Sequence, residues 1–321
     1  MKKKIILVSG DPNSVNSEII YKCWKKLPEV IKKNIYLVSN YKLLTEQFKK
    51  LNYKIKLEQV KNISSSRHSS KLKVIDVKLI FKDPFKVSRQ SSSIYILKSL
   101  NLAHHFALNK KVAGIVNCPI DKNLLNKKNI GVTEFLAAKC SIRKNTEAMV
   151  IKNDNLMVSP ITTHLDIKSI SKKLKKSLII NKVKTINDWY KKSFKKKPKI
   201  AILGLNPHNG ELRKNSEEQR IIIPAINKLK RLGIFLKGPY VSDTIFINDY
   251  KKYDIIIGMY HDQVLSPFKA LFKFNAINLT LGLDYIRVSP DHGVAKDKIL
   301  QKKSNPESLF RCIAFVNKFS K

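Results

Sequence analysis

The sequence predicts an α/β protein built on a largely parallel sheet. Three observations predict it. Short Ile, Val and Leu runs recur along the chain, amphipathic stretches of helical period lie between them, and the runs end in turn chemistry. Runs that are apolar at consecutive positions suit strands covered on both faces.

In chain order, Ile5–Val8 reads as the first strand, closed by Ser9-Gly10-Asp11-Pro12, and Ser17–Lys26 as the first helix. Ile35–Val38 is the next strand and Lys42–Leu51 the next helix, followed by a Ser-rich loop over Ser64–Ser70. A helix over Ser91–Asn109 precedes the strand Val112–Val116, which ends in Asn117-Cys118-Pro119-Ile120-Asp121. Ala148–Ile151 is a further strand. Lys168–Phe194 reads as one helix, because Ile170, Leu174 and Leu178 recur at four-residue spacing among solvated lysines. Lys195–Pro198 is a junction before the strand Lys199–Leu203, and Glu217–Leu232 is helical. Strands over Asp254–Gly258 and Ala276–Leu281 and a helix over Pro306–Phe319 complete the reading.

The chain has 321 residues and is 43% hydrophobic, enough to fill a sizeable core in two domains or one large one. That excludes a disordered basic tail as a description of the whole. Its net charge of +39 points at first toward nucleic acid or a membrane surface. The source is lysine, however. Of 63 basic residues only eight are arginine, at 67, 89, 143, 213, 220, 231, 287 and 311. Phosphate readers lean on the bidentate arginine fork, whereas lysine here is spread over the whole length beside abundant Asn and Ile. All three types have AT-rich codons, and the lysines read as compositional drift on solvated faces. Cys23, Cys118, Cys140 and Cys312 form no CxxC pair, which suits a reduced intracellular protein. The N-terminus lacks the apolar length of a secretory signal, and no run approaches a membrane span. A soluble, cytoplasmic protein is expected.

Conventional phosphate cradles are missing: there is neither G-x-G-x-x-G nor a P-loop. The informative positions are the strand ends, where open α/β sheets place ligands. His164 follows Thr162-Thr163, His208 sits in Asn206-Pro207-His208-Asn209-Gly210-Glu211, His261 in Met259-Tyr260-His261-Asp262-Gln263, and His292 in Ser289-Pro290-Asp291-His292-Gly293. Each alone reads as a local hydrogen-bonder. Together they propose a histidine-lined site, since imidazole is the commonest ligand for borderline metals. Their spacing carries no local metal signature.

These residues also carry a family resemblance. Gly10-Asp11-Pro12, Pro119-Ile120-Asp121-Lys122, Thr133-Glu134-Phe135-Leu136, Thr162-Thr163-His164-Leu165 and Leu205-Asn206-Pro207-His208 match in order. So do Gly238-Pro239-Tyr240, Asp243-Thr244, Met259–Gln263, Asn278–Leu283, Ile286-Arg287 and Asp291-His292-Gly293. The chain resembles the 4-hydroxythreonine-4-phosphate dehydrogenase (PdxA) family of pyridoxal-phosphate biosynthesis, end to end.

The resemblance implies a fold of two α/β/α domains around a central cleft, similar to isocitrate and isopropylmalate dehydrogenases. One domain would comprise 1–130 plus about 290–321, the other about 131–289, with dimer contacts. It implies NAD- (or NADP-) linked, divalent-metal-dependent oxidation of 4-phosphohydroxy-L-threonine to a β-keto acid, which loses CO2 to give 3-amino-2-oxopropyl phosphate. The metal would be Zn, Mg, Mn or Co, held by His164, His208 and His261, with His261 coming from the partner subunit of a homodimer. Substrate contacts fall on Thr133, Lys269, Asn278 and Arg287, and Asp243 and Asp262 become partners that orient histidines or balance charge. By analogy, His292, Gly293 and Ala295 belong to the cofactor loop.

The chain departs from the family pattern in three places. Val132 stands where the family has histidine and removes one substrate contact. The glycine-rich start after Asp11-Pro12 is replaced by Asn13–Ser17, and the glycines after Glu211 by Leu212–Asn215. A relative that oxidises a threonate or erythronate phosphate is therefore a second reading, and a polyanion-binding protein a third. The third predicts tight, steeply salt-dependent DNA binding that survives loss of the three histidines. Fluorescence anisotropy checks it: for an enzyme whose charge is surface drift, DNA binding is weak and vanishes by about 0.15 M salt.

Overall fold

The apolar runs become strands, and the computed structural model describes residues 3–63, 70–125, 131–140, 146–273 and 275–320. The strands are β1 (Lys4–Val8), β2 (Ile35–Ser39), β3 (Leu57–Val60), β4 (Leu72–Asp76), β5 (Val112–Asn117) and β6 (Ala148–Lys152). They continue as β7 (Met157–Thr162), β8 (Ile200–Leu203), β9 (Leu236–Tyr240), β10 (Ile255–Tyr260), β11 (Ile277–Leu281) and β12 (Ile286–Pro290). The helices are α1 (Asn16–Lys26), α2 (Glu29–Lys32), α3 (Tyr41–Lys50), α4 (Arg89–Leu108), α5 (Val132–Lys139) and α6 (Ile167–Lys173). They continue as α7 (Lys176–Phe194), α8 (Ile223–Arg231), α9 (Ser242–Ile245), α10 (His261–Phe272) and α11 (Glu307–Lys318). Most of the Ser-rich loop expected over Ser64–Ser70 lies outside the described residues. No described helix is long and apolar enough to cross a membrane.

The chain divides into two compact units, Met1–Leu136 with Asp284–Lys321, and Ala137–Leu283. In the first unit six strands pair in the order β3-β4-β2-β1-β5-β12, all parallel. Ile6, Val8, Tyr36 and Val38 face one way, against Tyr95, Ile96, Leu100 and Ala103 of α4. Leu7 and Ile35 face the other way, against Ile20, Cys23 and Trp24 of α1 and Leu309 and Ile313 of α11. This double cover is why these strands are apolar at every position. All four cysteines are buried, and none forms a disulfide.

In the second unit the order is β11-β6-β7-β10-β8-β9. Here β7, β10, β8 and β9 are parallel, while β6 pairs antiparallel with both β7 and β11. Helix α10 buries Val264, Leu265 and Phe268 against Val158, Ala201 and Ile256. Helix α7 packs along β6, β7 and β11.

Two expected helices differ from the structure. The stretch 168–194 is broken: Leu174 and Lys175 are extended, and α6 and α7 flank them. The buried positions step from Leu174 to Ile179, a five-residue interval that an unbroken helix could not keep on one face. The stretch 217–232 opens with a wide π-helical turn, Glu218–Ile222, before α8. Pro224 follows the π-helical turn directly, at the start of α8.

A polar pin joins strand ends within the first unit. The buried Tyr95 hydroxyl lies 2.6 Å from Ser9 Oγ, donates to Ser39 Oγ at 3.3 Å and accepts from the Asn40 amide at 3.2 Å. Tyr95→Phe removes these partners at once and leaves the Asn40 N–H buried and unpaired. A loss of about 1–3 kcal/mol of unfolding free energy is expected, measured by urea denaturation.

Candidate active site

Topology brings the three histidines of the sequence motifs to one end of one sheet. Strands β7, β10 and β8 are adjacent and parallel. His164 follows the carboxyl end of β7, His261 opens α10 directly after β10, and His208 lies in the turn Pro207–Leu212 that follows β8. The carboxyl edge of a parallel sheet is where such folds hold ligands.

The rings of His164 and His261 approach with centroids 6.1 Å apart and planes inclined by 36°. His261 Nδ1 lies 2.7 Å from Asp262 Oδ1. That pairing orients the imidazole and leaves Nε2 as the nitrogen available to a ligand, the usual outer-shell arrangement at a metal-binding histidine. His208 is exposed. Among the described residues, no three His, Cys, Asp or Glu side chains form a group ready to hold an ion. Imidazole is donor chemistry that fits a divalent ion, and within one copy of the chain the three histidines do not by themselves complete such a group.

The turn carrying His208 is unusual. His208, Asn209, Gly210, Glu211 and Leu212 all have φ between 49° and 58°, the left-handed region, and His164 has φ of 52°. Leu212 occupies such a position where the family pattern has glycine, whereas Asn13–Ser17 contains no positive φ. Glu218, fully buried, holds the start of the turn. Its Oε1 accepts from Leu205 N at 2.7 Å and Asn206 N at 2.8 Å, and its Oε2 from Asn206 Nδ2 at 3.0 Å. Burial pushes its carboxyl up, but the donors on Asn206 and Leu205 outweigh burial and hold it below the usual carboxylate value.

The remaining sequence-predicted residues fall as follows. Asp243 is exposed on α9, Lys269 is half-buried on α10, and Asn278 on β11 has a buried Oδ1 with no partner among the described residues. In the first unit, Arg287 on β12 is 4% exposed. Its Nε donates to Asn117 Oδ1 at 2.7 Å and its Nη1 to Thr133 Oγ1 at 3.4 Å. Burial pushes the guanidinium pKa down to about 10, so it remains charged at neutral pH. Val132 packs against the apolar core of this unit instead of presenting a polar group. In the 291–296 loop, His292 is half-buried and Gly293 exposed, with open space where a Cβ would stand. Ala295 has a left-handed φ of 47°, so this backbone could be approached closely by a cofactor.

A family model described as pyridoxal phosphate biosynthetic protein PdxA matches residues 31–316. The chain belongs to the PdxA family. It is 36% identical to a 4-hydroxythreonine-4-phosphate dehydrogenase of Sulfurihydrogenibium sp. over 97% of this chain and 96% of that one. A solved 4-hydroxythreonine-4-phosphate dehydrogenase of Klebsiella pneumoniae matches at TM-score 0.85 and 28% identity, covering 99% of this chain and all of that one. Isocitrate dehydrogenase from Methylococcus capsulatus matches at TM-score 0.50 and 10% identity over 98% of this chain and 85% of that one, a likeness of fold alone. The expected α/β architecture of this PdxA-family protein is thus shown.

Sequence reasoning passed over several residues that shape these loops: Asn117, Thr162, Glu218 and Gln263. The available signal was a polar side chain at the end of an apolar run, as in Asn117 after Val112–Val116. Asp11 is another. It is 2% exposed, and its Oδ1 accepts from the Asn13 amide while its Oδ2 has no partner among the described residues. Gly10, with φ of 76°, lets this loop approach Pro119 O and Asn16 so closely that a Cβ would collide with both.

Burial raises the Asp11 pKa to about 6, against the pull of the Asn13 N–H and Lys296, while the neighbouring Asp121 adds to the rise. The native state therefore binds more protons than the unfolded chain between about pH 4 and 6. Its contribution to stability is full below the unfolded value and lost as pH rises through about 6. Asp11→Asn is expected to stabilise by about 1–3 kcal/mol at pH 7.5 and to have little effect at pH 4. Urea denaturation at the two pH values checks it.

Proposed function

We propose that this PdxA-family chain is a 4-hydroxythreonine-4-phosphate dehydrogenase. It oxidises the hydroxyl-bearing carbon of 4-phosphohydroxy-L-threonine with NAD or NADP as hydride acceptor, in pyridoxal phosphate biosynthesis. The β-keto acid formed loses CO2 to give 3-amino-2-oxopropyl phosphate. One observation carries the reading. Three histidines lie at the carboxyl ends of adjacent strands in a chain 36% identical, over 97% of its length, to a dehydrogenase of that name.

His164, His208 and His261 would hold a divalent ion (Zn, Mg, Mn or Co), with His261 supplied by a second copy of the chain in a homodimer. His164 and His208 are exposed, which leaves them open to such a copy. When bound, the ion lowers the pKa of the substrate hydroxyl and stabilises the developing alkoxide. Asp262 holds the His261 imidazole in one tautomer through Nδ1. Asp243 is proposed as a charge-balancing partner.

Arg287 is suited to an anionic group of the substrate, because Asn117 orients its Nε and Thr133 stands beside its Nη1. Lys269 supplies a point charge toward a phosphate or carboxylate. Asn278 Oδ1, buried without a partner among the described residues, would accept from a substrate hydroxyl or ammonium. His292, Gly293 and Ala295 are proposed to line the cofactor, where the open space at Gly293 permits close approach.

A second reading, oxidation of a threonate or erythronate phosphate, draws support from Val132, which packs into apolar core where the family has a polar residue. Steady-state NADH formation with a panel of the three substrates separates the two. With 4-phosphohydroxy-L-threonine and divalent metal, turnover is expected. EDTA should abolish it and added metal restore it. Alanine at His164, His208 or His261 should lower kcat by about 100-fold or more, and Arg287→Lys should chiefly raise the substrate KM. No turnover of this substrate with metal present would sink the first reading.

A further inference from the structure

The second unit contains a chain of side-chain hydrogen bonds that joins the three histidine-bearing strand ends, and neither the sequence motifs nor the proposed chemistry accounts for it. It starts at β7. Thr162, 4% exposed and two residues before His164, donates its hydroxyl to Met259 O on β10 at 2.7 Å. The Met259 amide in turn donates to Gln263 Oε1 at 2.6 Å. Gln263 Nε2 then donates to Gly204 O at the end of β8, at 2.7 Å. From Gly204 the backbone enters the left-handed turn of His208, whose start is held by Glu218.

Gln263 is the centre of this chain. It is 7% exposed and lies two residues after His261, in the first turn of α10. An amide side chain suits this work, since its oxygen accepts from one backbone group while its nitrogen donates to another. The surroundings are built around it. A Cβ on Gly258 would stand 2.8 Å from Gln263 Oε1 and 2.6 Å from Val264 Cγ1, so only glycine admits the side chain at this depth.

We infer that Gln263 is a positioning residue that ties the His208 turn to the start of the His261 helix and, through Met259, to the strand bearing His164. Glu218 holds the start of the same turn through Leu205 and Asn206. The role rests on the proposed function of the three histidines, and it adds a residue that touches neither substrate nor cofactor. Without the tie, the turn and the helix are each still folded, but the direct side-chain link between them is lost.

The test uses Gln263→Met, which keeps the length and removes both hydrogen bonds, and Gln263→Glu, which keeps the acceptor and loses the donor. Gly258→Ala displaces the amide without removing it. Histidine imidazole signals are recorded by two-dimensional 1H–15N spectra on EDTA-treated protein, assigned with His208→Ala and His261→Ala. Kinetics are measured separately with metal, NAD and 4-phosphohydroxy-L-threonine. For Gln263→Met the His208 signal should shift although residue 208 is remote in sequence. kcat should fall about 10–100-fold, as for other residues that orient ligands, while the KM for NAD stays within two-fold. Gln263→Glu should fall between Met and wild type. If Gln263→Met proves insoluble, Gly258→Ala decides by the same readouts. A His208 signal unmoved in every soluble variant, or kcat within two-fold of wild type, overturns the inference. Failure of the wild type to turn over this substrate would instead count against the proposed function, and the imidazole spectra would still decide the positioning role.

Discussion

Strands buried on both faces must end somewhere, and at that end their peptide groups leave the ladder without leaving the protein interior. An unpaired buried N–H or C=O costs about 1–3 kcal/mol, so each end needs a polar side chain aimed back at it. Tyr95 serves this purpose beside Ser9 and Asn40. Thr162, Gln263 and Glu218 do so at β7, β10 and β8. His164 lies two residues after Thr162, His261 two before Gln263, and His208 two after Asn206, which Glu218 holds. The placement of His164, His208 and His261 is therefore a consequence of how the sheet solves its own hydrogen-bonding problem.

The same constraint shows where lysine drift stops. Of the many lysines, Lys73 lies in β4 and is 1% exposed, contrary to the reading of lysine as purely a surface residue. It is tolerated because its stem packs and its ammonium donates to Lys33 O at 2.8 Å, 5.0 Å from the Tyr36 ring centroid. Burial, with Lys4 nearby, lowers its pKa. Arg287 is the other deeply buried cation of note; its Nε donates to Asn117 and its Nη1 to Thr133, and the charge of Glu134 acts on it. A guanidinium so placed retains attraction for an anion, which an exposed lysine, solvated and screened, does not. That difference, more than net charge, separates a buried, oriented cation here from a compositional one.

Legibility followed the same physics. Most strands read correctly, such as Ile35–Ser39 and Ile200–Leu203, have unbroken apolar runs, and β11 was read despite Asn278 and Thr280. The strands passed over each carry an interruption: Glu58-Gln59 in β3, Lys73 in β4, Pro160 in β7, Gly238-Pro239 in β9 and Arg287 in β12. Helix α10 was hidden by its polar opening, His261-Asp262-Gln263, which local pattern reads as a turn. At the site, the histidines were visible because imidazole is conspicuous in a polar turn. Gln263 and Glu218 were not, because their role is a tertiary hydrogen bond to a strand end that the sequence places far away.

The His208 turn shows why such partners are needed. Left-handed backbone costs an L-residue roughly 1–2 kcal/mol, and His208, Asn209, Glu211 and Leu212 are all held there. Local preference therefore opposes the turn, and no hydrophobic contact at an exposed loop could reverse it. Hydrogen bonds to a charged acceptor contribute roughly 1.5–3 kcal/mol each. Glu218 accepts three from Leu205 and Asn206, while Glu217 takes another from Asn206 Nδ2 at 2.8 Å. The two quantities are comparable, and Asn209 Nδ2 adds a bond from within the turn to Pro239 O at 3.1 Å. A histidine presented this way cannot relax into an ordinary turn without breaking bonds to a buried charge, and its direction is consequently set by the fold rather than by its neighbours in sequence.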